Sequence, residues 1–328
     1  MTNTTSSPLL SVRDLSVQFR LPAVSGLPWS APRTLQAVDA VSLDVAAGET
    51  LGIVGESGCG KSTLARALLN MVPCRGSVRW QGQEMVGASN AQWLRMRRQV
   101  QMVFQDPLAS LDPRMTIGQI IAEPLRTHSP ELSRKDTADK VASIMERVGL
   151  DARMINRYPH EFSGGQCQRI GIARALVLEP KLVICDEPVS ALDVSIQAQI
   201  INLLRSLQDQ MGLALLFIAH DLAVVRHISH RVLVMYFGRS METGSTDALY
   251  LQASHPYTRA LLSAVPLPDP TLARQPRSLL QGDLPSPLAP PSGCSFRTRC
   301  PLASERCSTE RPLLRLLQNG SSMACHRD

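Results

Sequence analysis

The sequence predicts an α/β fold, in which a mostly parallel β-sheet is covered by helices and followed by a small cysteine-containing extension. Short apolar runs of strand length recur along the chain, and amphipathic helical patterns lie between them. A proline-rich stretch then separates this body from a cluster of cysteines. Buried strands that alternate with helices are typical of a parallel sheet covered on both faces.

Composition limits the classes of function. The 328 residues are 44% hydrophobic, 19% charged and only 4% aromatic, which argues against single-stranded nucleic-acid binding on stacked aromatic rings. The net charge of +6 suits phosphate or anionic lipid, although a solvated basic surface is the plainer explanation. No apolar stretch reaches the ~20 residues of a membrane-spanning helix, and the first residues lack signal-peptide features. We therefore expect a cytosolic chain, or one on the cytosolic face of a membrane.

The first quarter of the chain contains three strand patterns. Residues 10–19 alternate apolar and polar side chains, as an edge or half-buried strand does. Residues 21–33 are proline-rich and predict a loop, after which residues 35–45 return to a strand pattern. Residues 50–55, "TLGIVG", predict a short buried strand that leads into a glycine-rich loop.

The remaining body adds helices and two more buried strands. Residues 115–160 predict helices with no strand between them, which indicates a helical insert. Residues 182–188 and 213–220 are apolar runs of strand length. Between them, residues 194–212 place apolar side chains on one helical face and end at Gly212.

A change of composition near residue 265 marks the end of this body. Eight of the chain's 23 prolines lie between residues 266 and 291. Such a density predicts an extended connector rather than a packed core.

The glycine-rich loop "GESGCGKST" carries the strongest chemical signal. It matches the phosphate-loop pattern G-x-x-x-x-G-K-[ST] in full, between a predicted strand and a predicted helix. The lysine can neutralise β- and γ-phosphate oxygens, and the serine can ligate Mg²⁺. A chance glycine-rich turn is the alternative. The predicted nucleotide-binding residues are Gly55, Glu56, Ser57, Gly58, Cys59, Gly60, Lys61, Ser62 and Thr63.

An acidic pair ends the predicted strand "LVICDEP". Asp186 suits the Mg²⁺ side of a nucleotide site, and Glu187 suits a general base that polarises the attacking water. Two adjacent acids at a strand end could also form a solvated turn, and the phosphate loop favours the catalytic interpretation.

A second glycine-rich turn, "FSGGQCQR", lies at residues 162–169, about a hundred residues after the first. Its backbone N–H groups, at the start of a predicted helix, suit a phosphate. Taken by itself, this turn could equally be a helix cap without a ligand.

Together these motifs resemble the ATP-binding-cassette (ABC) transporter ATPases. "GESGCGKST", "VFQDP", "FSGGQCQR", "LVICDEP", "SALD" and "IAHD" follow one another in that family's order, and the resemblance runs from about residue 10 to 265. It implies a P-loop NTPase cassette with a RecA-like parallel-sheet core, an antiparallel β subdomain and an α-helical subdomain. We therefore expect the cassette at residues 8–264, its helical subdomain at about 106–178, and a connector with a cysteine region at 265–328.

The resemblance also implies why one chain has two glycine-rich turns. In that family two cassettes pair head to tail, and the second turn of one closes over the ATP held by the first turn of the other. It further implies that Gln105 senses Mg²⁺ and the attacking water and that His220 contacts the γ-phosphate. Asp193 would link the two sites, and Phe19 would stack on adenine, with core packing as an equal alternative. The residues implied to reach a partner's ATP are Ser163, Gly164, Gly165 and Gln166.

The C-terminal motifs resemble the oligopeptide/dipeptide importer branch of this family. "HPYTRALLSAVP" and "GDLPSPLAPPSGCSFRTRCP" carry that resemblance. It implies two transmembrane permease subunits, a solute-binding protein outside the membrane and a second, paralogous cassette in a heterodimer. No nucleic acid is expected. The chain would lie on the cytoplasmic side of the inner membrane. Nickel, glutathione or antimicrobial peptides are alternative solutes, and a soluble cassette protein or a metal sensor is a different class.

Four cysteines crowd the C-terminal region with the spacing C-x5-C-x6-C-x17-C, which lacks the C-x-x-C pairs of a zinc ribbon. Four thiolates suit an iron–sulfur cluster, and the resemblance implies a [4Fe–4S] centre. Zinc and free thiols stay open as alternatives. These residues are Cys294, Cys300, Cys307 and Cys325.

Overall fold

The structure is a computed structural model that describes residues 7–21, 33–264, 282 and 285–327. Residues 22–32 of the proline-rich loop predicted at 21–33, and most of the connector predicted after residue 265, lie outside the described residues.

The described elements alternate as the sequence predicts. The strands are β1 (Leu10–Leu21), β2 (Arg33–Val45), β3 (Thr50–Val54), β4 (Arg75–Trp80), β5 (Gln83–Glu84), β6 (Val100–Val103), β7 (Leu182–Asp186), β8 (Ala214–Ala219), β9 (Arg231–Tyr236), β10 (Arg239–Ser245), β11 (Arg315–Leu316) and β12 (Ser322–Met323). The helices are α1 (Lys61–Leu68), α2 (Asn90–Gln99), α3 (Ile117–His128), α4 (Arg134–Arg147), α5 (Gly164–Leu176), α6 (Val194–Met211), α7 (Leu222–Ile228), α8 (Thr246–Gln252), α9 (Pro256–Ser263) and α10 (Arg306–Thr309).

The strand predictions for residues 10–19, 35–45, 50–55, 182–188 and 213–220 are confirmed as β1, β2, β3, β7 and β8. The helical insert is confirmed as α3 and α4, with no strand between them. Helix α6 ends at Gly212, whose φ of 64° allows the left-handed turn that stops it.

The chain divides into two compact units. Unit 1 contains the described parts of residues 1–44, 51–87 and 219–328, and unit 2 contains residues 45–50 and 88–218. The domain boundary predicted at 264/265 falls at the edge of undescribed residues and stays a prediction.

Unit 1 contains two sheet regions. The first is antiparallel, with the strand order β2-β1-β4-β5, and it provides the antiparallel β part that the sequence resemblance implies. In the second, β3 pairs with β9 in parallel, and β10 continues the sheet antiparallel to β9. Strand β3 is fully buried, as its apolar sequence predicts, and it fixes the position at which the following loop begins.

The cysteine region adds two short strands to unit 1. Strand β12 pairs antiparallel with β10, with Glu242 opposite Met323, and β11 pairs with β12. Phe296 is 1% exposed, and its ring lies at tilted or edge-on angles to Tyr236 and Tyr257. These residues therefore pack into the core of unit 1, which the extended character of the connector does not predict.

Unit 2 contains three parallel strands, β6, β7 and β8, together with helices α2 to α6. Val103 lies opposite Cys185, so the carboxyl ends of β6 and β7 reach the same edge. No helix among the described residues is long and apolar enough to cross a membrane.

Candidate functional site

The phosphate loop joins β3 to α1 in unit 1. Gly60 precedes the helix with a φ of 103°, and a Cβ at this position would lie 2.2 Å from the carbonyl oxygen of Ala37. Only glycine fits both constraints. The loop therefore turns tightly enough to begin α1 at Lys61, with the N–H groups of its first turn facing the loop.

The lysine lies inside this loop. Lys61 is 3% exposed, and its Nζ donates hydrogen bonds to the carbonyl oxygens of Gly55, at 2.9 Å, and Glu56, at 3.1 Å. Ser62 follows in the first turn of α1 and is half-buried. The thiol of Cys59 lies 4.0 Å from the lysine Nζ, and burial raises its pKa, so it stays protonated at neutral pH.

Two residues from much later in the chain hold the phosphate loop. The backbone N–H of Glu56 donates to Tyr257 Oη at 3.0 Å, and the Glu56 carboxylate pairs with Arg299 in two hydrogen bonds of 2.6 and 3.0 Å. The sequence predicts neither contact. Arg299 is 243 positions from Glu56, and no periodicity or motif connects positions so far apart.

The acidic pair lies where β7 ends in unit 2. Asp186 is 2% exposed, and Glu187 is half-buried with a φ of 46°. Gln105 follows β6, and its Nε2 donates to Glu187 Oε2 at 3.3 Å. The parallel pairing of β6 and β7 thus brings together two of the predicted catalytic side chains.

The second glycine-rich turn begins α5. Ser163 is the N-cap, and its Oγ accepts a hydrogen bond from the Gln166 backbone N–H while the Gln166 side chain accepts one from the Ser163 N–H. This reciprocal pair is a capping box. Ser163 and Gly164 are exposed, whereas Gly165 faces α6 so closely that a Cβ would lie 2.6 Å from Ile196 Cγ2.

The other predicted site residues lie at the ends or faces of elements. Asp193 is the exposed N-cap of α6, and its Oδ1 accepts from the Ile196 N–H at 3.0 Å. His220 is exposed directly after β8. Phe19 lies in β1 and is half-buried, so the structure leaves open both adenine stacking and core packing. The roles of all three stay predictions.

The four tail cysteines line one small cavity, together with His255 and His326. None of the four forms a disulfide. Burial raises the thiol pKa of Cys294 and Cys300. At Cys307 burial acts in the same direction, but hydrogen bonds from Ser304 outweigh it and lower the pKa.

The donor set suits soft metal chemistry, because thiolate sulfur is the ligand of iron–sulfur clusters and zinc. The cavity that these side chains line is small. Among the described residues, no group of three or more His, Cys, Asp or Glu side chains is placed to hold a single metal ion.

Comparison with sequence families gives two matches. The profile of the ABC transporter family matches residues 38–190, and that of the oligopeptide/dipeptide transporter C-terminal region matches residues 241–307. The second match includes three of the four tail cysteines.

Comparison with individual proteins gives close relatives along most of the chain. The chain is 61% identical to the oligopeptide transport ATP-binding protein OppF of Salmonella typhimurium, over 93% of this chain and 92% of that protein. It is 59% identical to OppF of Haemophilus influenzae, over 97% and 96%.

Solved structures agree on the fold. The ATP-binding cassette MJ0796, in a dimeric post-hydrolysis state bound to ADP and Pi, has a TM-score of 0.64 at 24% identity, over 72% of this chain and 98% of that one. CbiO1 of Clostridium perfringens, part of the ABC transporter complex cbiONQ, has a TM-score of 0.63 at 24% identity, over 75% and 92%.

Proposed function

This chain belongs to the ABC transporter family, in its oligopeptide/dipeptide branch, and from that premise we propose that it is the ATP-hydrolysing subunit that powers a peptide importer. One observation carries the proposal. The identity with oligopeptide transport ATP-binding proteins covers more than nine-tenths of both chains. It therefore includes both the nucleotide motifs and the cysteine-containing tail.

We assign phosphate binding to the loop at residues 55–63. The N–H groups of the loop and of the first turn of α1 favour negative charge. The Lys61 ammonium, which bonds to loop carbonyls in this structure, would turn toward the β- and γ-phosphate oxygens. Ser62 and Asp186 supply oxygen ligands of the kind that Mg²⁺ prefers, and the bound ion would neutralise phosphate charge.

We assign water activation to the pair of Gln105 and Glu187. The 3.3 Å bond between Gln105 Nε2 and Glu187 Oε2 supports this assignment, because two groups this close can contact one water. The carboxylate would accept the proton of the attacking water, and the amide would orient that water. His220 would contact the γ-phosphate, and Phe19 would stack on the adenine.

We further propose that each ATP is completed by a second cassette. Ser163 and Gly164 are exposed at the positive end of a 13-residue helix, so they can face a phosphate from another chain. Gly165 and Gln166 would support the same contact, and the exposed Asp193 would lie beside the partner. The second cassette would be a paralogous chain, giving a heterodimer.

The assembly would contain two permease subunits that span the membrane and a solute-binding protein outside it. The helices α3 to α5 would provide the surface that meets the permeases, and this chain would be peripheral on the cytoplasmic side of the inner membrane. Peptide selection would belong to the other subunits, as the resemblance implies.

We also propose that the four tail cysteines hold the [4Fe–4S] cluster that the resemblance implies. The support is that all four thiols line one cavity. Anaerobic purification followed by iron and sulfide assays tests this, with about four of each expected per chain. A colourless preparation without iron would contradict it.

The importer function can be tested by complementation. The gene replaces the cassette gene of a host that needs a peptide as its source of an essential amino acid, and growth and uptake of a labelled tripeptide are measured. We expect growth with the wild-type chain and none with Lys61→Ala, while both grow on the free amino acid. If tripeptide uptake stays absent although the chain co-purifies with the permeases, the peptide assignment is wrong.

A further inference from the structure

The phosphate loop is tied to the cysteine-containing tail by a shielded ion pair. Arg299 Nη1 and Nη2 each bond to one oxygen of the Glu56 carboxylate, at 2.6 and 3.0 Å. The Arg299 side chain is only 6% exposed and that of Glu56 is 22% exposed. A two-point bond between a guanidinium and a carboxylate fixes orientation as well as distance, and it is screened little by salt when water is excluded.

Contacts other than the ion pair also hold the Arg299 side chain in position. Its guanidinium lies 5.9 Å from the ring centroid of Tyr236, which is fully buried. Phe296, three residues earlier in the tail, packs edge-on against the same ring. Burial of this segment therefore aims the guanidinium at the loop. The hydrogen bonds to Glu56 raise the pKa of Arg299, so it is charged at every physiological pH.

Glu56 is held at its backbone as well as at its side chain. Its N–H donates to Tyr257 Oη, and its carbonyl oxygen accepts from Lys61 Nζ. Arg299 therefore binds the side chain of Glu56, and the backbone carbonyl of the same residue positions the Lys61 ammonium. A shift of Glu56 would move that carbonyl and with it the ammonium group.

The charge of Glu56 gives this contact a second consequence. A carboxylate in a loop that receives a polyphosphate repels the ligand, and at short range in a poorly hydrated site this repulsion is strong. Arg299 cancels that charge. The neighbouring Arg297 does not, because its guanidinium bonds to Ser292 inside the tail.

We propose that Arg299 is a positioning residue of the nucleotide site: it neutralises Glu56 and fixes the phosphate loop, so that the ATP affinity of the cassette depends on its tail. The proposal rests on the proposed function, because it takes residues 55–63 as the ATP site. Arg299 touches no substrate atom and acts through Glu56.

The test is ATP titration of the purified full-length chain, measured by fluorescence of a nucleotide analogue. We expect Arg299→Ala to weaken binding on the order of tenfold, since it leaves one uncompensated charge beside the phosphates. Arg297→Ala, the matched control from the same segment, should bind as the wild type does.

The double variant Arg299→Ala/Glu56→Gln separates a charge effect from damage to the fold. Removing the carboxylate charge should restore most of the lost affinity, although the tail no longer touches the loop through an ion pair. A double variant that binds no better than Arg299→Ala overturns the proposal, and so does an Arg299→Ala chain that binds as tightly as Arg297→Ala.

If Arg299→Ala does not fold, Arg299→Gln, which keeps a hydrogen-bond donor for Glu56 but no charge, should weaken ATP binding by about the same factor. Binding as tight as in the wild type would overturn the proposal. A wild-type chain that binds no ATP overturns the proposed function and this inference together, whereas the variant outcomes above overturn this inference alone.

Discussion

Glu187 has a backbone conformation that is uncommon for its residue type. Its φ of 46° lies in the left-handed region, which non-glycine residues occupy at a cost on the order of 1–3 kcal/mol. The backbone N–H of Glu187 is fixed by a 3.0 Å bond to the carbonyl of Ile218 in β8. The strand edge therefore imposes this conformation, and in it the carboxylate reaches Gln105.

We predict that Glu187→Gln lowers ATP hydrolysis by about a hundredfold to ten-thousandfold, the usual contribution of a general base, without weakening ATP binding. The amide can still bond to Gln105 but cannot accept the proton of the attacking water. Steady-state phosphate release measures the rate. Glu179→Gln is the matched control, because Glu179 is also a glutamate at positive φ in unit 2, and it is exposed. Hydrolysis near the wild-type rate in Glu187→Gln would show that another group is the base.

At the residue scale, sequence reasoning finds what short motifs encode. Lys61, Asp186 and Glu187 follow from local patterns whose chemistry is readable at once. The position of Gln105 beside Glu187 needed the pairing of β6 with β7, and no sequence pattern reports which strands are neighbours. The contact of Arg299 with Glu56 cannot be predicted from the sequence, because an ion pair between distant positions leaves no periodic signal.

At the scale of elements, the close packing of α5 on α6 explains one of the two glycines in "SGGQ". Gly165 faces Ile196 with no room for a Cβ, whereas a Cβ on Gly164 would meet Leu192 Cδ2 at an ordinary 3.6 Å. Gly165 is therefore a packing requirement at the start of α5, in addition to any contact that it makes with nucleotide.

We predict that Gly165→Ala destabilises the chain by about 1–3 kcal/mol, because the added methyl group displaces Ile196 or the first turn of α5. Gly164→Ala should be neutral or slightly stabilising, since alanine favours helices over glycine. Thermal unfolding measures both variants. Adding Ile196→Ala to Gly165→Ala should remove the clash and recover part of the loss. Equal stability of the two glycine variants would contradict the packing argument.

Elements with a strong pattern were predicted to within a few residues. The alternating and fully apolar runs of β1, β3, β7 and β8 each follow from burial on one or both faces. No element is predicted for residues 75–103, where short strands and α2 carry mixed patterns. The addition of β12 to the sheet is not predicted either, because a strand of two residues is too short to show a period.

At the scale of the molecule, the second glycine-rich turn is an exposed surface that, in the proposed scheme, contacts the nucleotide of another chain. Ser163 and Gly164 lie in unit 2, and the phosphate loop lies in unit 1. A head-to-tail pair of cassettes would use both surfaces of each chain. ATP would then hold the pair together, because it would contact one loop from each member.

We predict that Glu187→Gln, in the presence of ATP and Mg²⁺, elutes at twice the mass of one chain, or as a pair with its paralogous cassette when the two are mixed. Blocked hydrolysis keeps the nucleotide that joins the two surfaces. Light scattering after size exclusion measures the mass. Adding Lys61→Ala to the same chain should return it to a monomer, and a mass that ignores ATP altogether would refute the two-chain site.

The distance along the chain between Glu56 and Arg299 has a consequence for biosynthesis. A ribosome completes the phosphate loop long before it reaches the arginine, and translation at ~5–20 residues per second leaves a gap on the order of 10–50 seconds. During that interval the nascent cassette has its lysine but an uncompensated carboxylate beside it. A partly synthesised chain would therefore bind cellular ATP weakly, and it would reach its full ATP affinity only when the tail packs against the phosphate loop.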